Sequence, residues 1–144
     1  MLKPYLLHAV AVHFPIALLL TGVTAAVAQL VTRRTWLADA VSWLLWLGTA
    51  SAGAALGLGL WAERTAPHVP PAWQTLAAHE TLAYWTVAVF IALSIWRRFF
   101  RPAGPRLFLA AWLAAAALLL ATAYQGGELV FTHNMGTAAS MESP

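Results

Sequence analysis

Apolar residues fill this chain in four long blocks, near residues 6–31, 37–61, 77–97 and 106–131, with short polar connections between them. No block alternates apolar and polar positions as a half-buried strand would, and each is rich in Ala, Leu and Val. A hydrocarbon core of about 30 Å is crossed by about 20 helical residues, so each block is long enough to span. A helix satisfies its own backbone hydrogen bonds in lipid, and the pattern therefore predicts four transmembrane helices. Connections this short predict an all-α, up-and-down four-helix bundle, with residues 1–144 forming a single transmembrane domain. Trp36, Trp61, Trp73 and Trp96 fall near block ends, where tryptophan settles at the membrane interface.

Composition agrees: 61% of residues are hydrophobic and 9% are charged, against roughly 25% charged in soluble domains. The net charge of +3 would suit a nucleic-acid binder, but the basic residues sit in clusters between apolar blocks, as orientation signals do. Arg33 and Arg34 separate the first two spans; Arg97, Arg98, Arg101 and Arg106 separate the last two; Lys3 and Arg64 lie opposite. By the positive-inside rule, both basic loops are expected in the cytoplasm and both termini outside. The first block is longer than the about 7–15 apolar residues of a signal-peptide core, so an uncleaved anchor is expected. Cysteine is absent, which excludes disulfides, thiolate catalysis and iron–sulfur ligation by this chain.

The few polar groups near the spans gather on one side. His8, His13, His68, His79 and His133 all fall there, with Glu63, Glu80, Glu128 and Glu142. Ionisable groups within a membrane turn to the bundle interior and find partners. His13 precedes Phe14-Pro15, and Pro15 frees the carbonyl near Ala11, predicting a kink. Its imidazole is expected either to ligate a cofactor or to bond a backbone carbonyl or Glu128. His8, five residues earlier, points about 140° away on an ideal helix, so it lies at the rim or serves a different centre. His79 opens the third span beside Glu80, with Ala83 and Thr86 continuing its stripe; it either faces His13 or lies at the interface.

Glu128 is a carboxylate in an apolar helix, expected to pair with Arg64 or a histidine, to stay protonated, or to mark a proton path. Gly126-Gly127 permits close approach of a neighbour or a ring. His133 closes the last span, either capping a site or meeting the helix dipole. Ser51, Ala55 and Gly59, the pair Gly53 and Gly57, and Ala110, Ala114, Ala117 and Ala121 form small-residue rows. Such rows predict close helix packing, or a slot for a planar cofactor. No phosphate-binding loop, HExxH pair or Ser-His-Asp arrangement is present.

Both ends of the chain resemble the bacterial membrane family known as domain of unknown function 2231. The first helix reads H-A-V-A-V-H-F-P-I, His8 to Ile16, and the last ends G-G-E-L-V-F-T-H-N-M-G, Gly126 to Gly136. The family pattern has proline in place of Ala9, tyrosine in place of Phe131, and Gly-Val in place of Asn134-Met135. The resemblance implies a four-helix membrane domain in which His8, His13, His79 and His133 match recurring histidines. Some relatives are joined to Rieske-type iron–sulfur domains, which the resemblance extends to an expectation of respiratory electron transfer.

Histidines on separate helices beside small-residue rows predict a b-type haem protein that carries electrons near the periplasmic face, between quinol and a periplasmic redox protein. His13 and His79 are the expected axial ligands, with His133 or His8 as substitutes or as ligands of a second haem. Arg64 and His68 are expected to neutralise propionates. Two other readings stay open. One is a non-catalytic subunit of a respiratory or photosynthetic complex, or a homo-oligomer, with no cofactor. The other is a copper, zinc or iron site built from His13, His79 and His133 with Glu128 or Glu80. Membrane lipids are expected partners, and nucleic acid is not.

Overall fold

The computed structural model describes residues 3–65, 69–100 and 104–137; His68, Arg101 and Glu142 lie outside them. Five α-helices are found among these residues: α1 (Pro4–Ala11), α2 (His13–Thr32), α3 (Thr35–Glu63), α4 (Trp73–Phe99) and α5 (Pro105–Phe131), with a 3-10 turn at Pro70–Ala72 leading into α4. They make four spans long and apolar enough to cross a membrane: Pro4–Thr32, Thr35–Glu63, Pro70–Phe99 and Pro105–Phe131. The predicted four-helix membrane bundle is thus the observed fold.

The first span is interrupted where Pro15 requires it. Proline offers no N–H to the Ala11 carbonyl, and the helix is broken at Val12, whose own N–H still bonds the His8 carbonyl at 3.0 Å. His8 and His13 therefore stand on either side of an irregular turn. Between α2 and α3 the chain reverses through Arg33, whose φ of 54° is left-handed, while Arg34 is extended. α2 packs on α3 and α4 on α5; contacts of α3 with α4 and of α2 with α5 close the ring, and α1 lies against α3. Arg33, Arg34, Arg97, Arg98 and Arg106 share one end of the bundle, and His8, His13, His79 and His133 share the other, with Arg64.

The middle of the bundle and the arginine end are dry. Leu19, Ala26, Val41, Leu45, Phe90, Leu93, Phe108, Trp112, Ala115 and Leu119 form one buried cluster. Its largest member, Trp112, is wholly buried against Gly22, where a Cβ would stand only 2.5 Å from Cζ2 of the indole. Arg97 enters this end from α4. Its Nε donates to Ser42 Oγ and its Nη2 to the Ala38 carbonyl, both at 3.0 Å, and its guanidinium lies over the Phe108 ring. A residue read from sequence only as an orientation signal thus ties α4 to α3 and α5.

Two packing expectations are corrected. Ala110, Ala114, Ala117 and Ala121 face away from the bundle, as do Gly53 and Gly57. Alanine occupies both sides of α5, and the inward side is decided by the bulk of Phe108, Trp112 and Leu119, which need the interior space. Trp96, expected at the interface, is drawn inward to an edge-to-face contact with Phe108, while Trp36, Trp61 and Trp73 are exposed.

Candidate functional site

Two histidines meet at the histidine end, and they are His8 and His79. Their ring centres are 6.4 Å apart, with the planes nearly perpendicular at 79°. Each ring is held by the backbone of the next helix. His8 Nδ1 lies 2.9 Å from the Ala55 carbonyl of α3, and His79 Nδ1 lies 3.0 Å from the Thr122 carbonyl of α5. A carbonyl only accepts, so each Nδ1 carries the proton and donates it. In the neutral ring, Nε2 then keeps its lone pair. No protein group among the described residues bonds either Nε2.

A glycine one turn beyond each carbonyl makes room for the ring. A Cβ on Gly59 would stand 2.9 Å from His8 Cε1, and one on Gly126 would stand 3.1 Å from His79 Cε1. The bundle therefore uses the same seat twice. α3 offers Ala55-x-x-x-Gly59 to a histidine of α1, and α5 offers Thr122-x-x-x-Gly126 to a histidine of α4. The expected approach of a ring to Gly126 is met by His79. The role of Gly59 was visible in sequence only as one member of a small-residue row.

Below His79 the expected polar stripe continues. Thr86 is buried, and its hydroxyl lies 2.7 Å from Thr122 Oγ1, which in turn donates to the Leu118 carbonyl at 2.9 Å. Thr86, Thr122 and His79 are thus linked through one residue of α5.

The other candidates are placed elsewhere. His13 is exposed on the outside of α2 and does not face His79, correcting the expected inner pair. The two histidines differ in burial with the expected roles exchanged: His8 is part-buried because α1 lies on α3 and Gly59 leaves room there, while His13 is exposed. His133 lies in the turn after α5, with Nε2 3.2 Å from Thr75 Oγ1, one turn before His79 on α4. Glu128 accepts a hydrogen bond from Thr132 Oγ1 at 3.1 Å; among the described residues it is bonded neither to Arg64 nor to a histidine. Arg64 is exposed at the end of α3, and Glu80 is half-buried beside His79.

The ends of the chain that carry the matching motifs meet at this site. Asn134, where the family pattern has glycine, takes a φ of 55°, a left-handed conformation that asparagine tolerates. Gly136 follows with a φ of 76° and packs on the Tyr5 ring of α1. The family described as "Predicted membrane protein (DUF2231)" matches residues 5–139. The chain belongs to this family. No curated protein and no solved structure matches the chain. The match brings both the DUF2231 motif ends and the His8–His79 pair within its bounds, while the activity remains to be argued from the site.

Proposed function

We propose that this DUF2231 protein is a b-type haem protein of the bacterial inner membrane, held by His8 and His79, that transfers electrons near the periplasmic face. The observation that carries this reading is the close pair of imidazoles whose Nδ1 atoms are tethered and whose Nε2 atoms bond no protein group among the described residues. With ring centres 6.4 Å apart, His8 and His79 are the two residues that would hold a haem. Two protein ligands suffice for a haem, whose porphyrin supplies the others. A bare ion takes three or more, and no group of three His, Cys, Asp or Glu side chains suited to a metal is found among the described residues.

One-electron exchange is the chemistry a haem supplies when bound. The protein's own contribution is orientation and tuning. Donation from Nδ1 to a backbone carbonyl fixes the tautomer and raises the basicity of Nε2, as it does for metal-bound histidines generally. Seats on α3 and α5 divide the ligands between the two helical hairpins. The basic turns at the other end support a cytoplasmic position for that end by the positive-inside rule, which would leave the histidine pair outside, within reach of quinol or a periplasmic redox protein.

The outward small-residue faces of α3 and α5 favour a second reading, a structural subunit packed against other membrane helices. The two are separated by an ultraviolet–visible spectrum of detergent-purified protein after haem-sufficient expression, oxidised and dithionite-reduced. A Soret band that sharpens on reduction is expected. Protein without a Soret band that co-purifies with a larger complex would favour the second reading.

A further inference from the structure

We infer that a groove between α3 and α4, at the arginine end, holds the acyl chain of an anionic phospholipid with its phosphate on Arg98. The groove has a volume of about 390 Å³ and is lined by Trp46, Thr49, Ile91, Ser94, Ile95, Arg98 and Phe99. Ile91, Ile95 and Trp46 give it apolar walls. The two hydroxyls on its floor are already engaged. Thr49 Oγ1 lies 2.8 Å from the Leu45 carbonyl, which accepts from it, and Ser94 Oγ is hydrogen-bonded to Thr49 Oγ1 at 2.9 Å. Both hydroxyls thus have partners within the protein, and the apolar walls suit a hydrocarbon chain.

The charge lies at the mouth. Arg97 and Arg98 are neighbours on α4 with opposite fates. Arg97 is turned into the bundle, bonded to Ser42 and Ala38. Arg98 is exposed over the Phe99 ring, with no hydrogen bond or ion pair to a protein group among the described residues. From Ile91 to Arg98 is two helical turns, about 10 Å of rise. An acyl chain lying along Ile91 and Ile95 would bring its headgroup to the guanidinium, at the depth where basic side chains meet anionic lipids. A guanidinium is matched to phosphate by geometry as well as charge.

The test uses the full-length protein in phosphatidylcholine nanodiscs, with spin-labelled phosphatidylglycerol or spin-labelled phosphatidylcholine as the probe. Electron spin resonance reads the motionally restricted fraction of each. Wild-type protein is expected to favour phosphatidylglycerol about fivefold, as one basic contact near the surface provides. Arg98→Gln should bring this close to unity, and Arg106→Gln, outside the groove at the same end, should leave it largely intact. Ile91→Trp fills the groove without touching the charge and should also abolish the preference. Selectivity unchanged in Arg98→Gln would overturn the site. So would equal losses in Arg98→Gln and Arg106→Gln, which would mean a general surface attraction. Displacement of the labelled lipid by a stoichiometric short-chain quinone would replace the lipid with a quinone.

Discussion

The two ends of this bundle use the same device, an aromatic ring seated on a glycine, to opposite effect. In the dry region, Gly22 receives the indole of Trp112, which is wholly buried and whose Nε1 has no hydrogen-bond partner. At the histidine end, Gly59 and Gly126 receive imidazoles whose Nδ1 atoms are bonded and whose Nε2 atoms are not engaged by any protein group among the described residues. In the first case the glycine serves packing density, and the ring fills space even with its donor unsatisfied. In the second it serves orientation, because ring, carbonyl and glycine together leave one lone pair aimed away from the helix that holds it. The dry region is where stability is concentrated, and the histidine end is where chemistry is available.

Truncation should separate the ends most sharply. Trp112→Ala is expected to cost about 3–5 kcal/mol, through lost burial and the cavity left behind. Its measure is denaturant unfolding in a mild detergent. An equal loss in His8→Ala would contradict the division between ends. The glycines give a finer contrast. Gly22→Ala sets a methyl 2.5 Å from a buried indole atom, and overpacking of this kind costs about 1–3 kcal/mol. Gly59→Ala crowds the end of a rotatable, part-buried side chain rather than a wholly buried indole, so about 1 kcal/mol or less is expected, together with a severalfold loss of bound haem. Stability and haem content falling in step in both variants would erase the distinction. The smallest effect is expected of Thr86→Val, which removes the hydroxyl bonded to Thr122; interhelical hydrogen bonds in membranes average about 0.6 kcal/mol. The same unfolding curves measure it.

Span number and the break before Pro15 were legible because each depends on one-dimensional signals, block length and a missing N–H. The limits followed within a few residues except at the third span, where the helix begins at Trp73, ahead of the apolar block predicted from residue 77. The identity of the inward histidine was not. His8 and His13 are both flanked by apolar residues, and helical angle says only that one points away from the other. The choice is made by α3, which offers Gly59 and the Ala55 carbonyl to His8 on the α1 face and not to His13. The repeated spacing of Ala55 to Gly59 and Thr122 to Gly126 was present in the sequence. It acquires meaning only when each pair is known to face a histidine 47 or 43 residues away from its carbonyl. The alanine row of α5 failed for a related reason, since a helix with alanine on two sides does not announce which side is covered.

The pairing of His8 with His79 is tested most directly by parallel His8→Ala and His13→Ala variants. The reduced-minus-oxidised optical spectrum is recorded for each at matched protein concentration. His8→Ala is expected to lose the bis-imidazole haem signal, as His79→Ala would, while His13→Ala keeps the wild-type spectrum and stability. A signal that survives in His8→Ala and vanishes in His13→Ala would contradict the pairing and return the site to the outer face of α2.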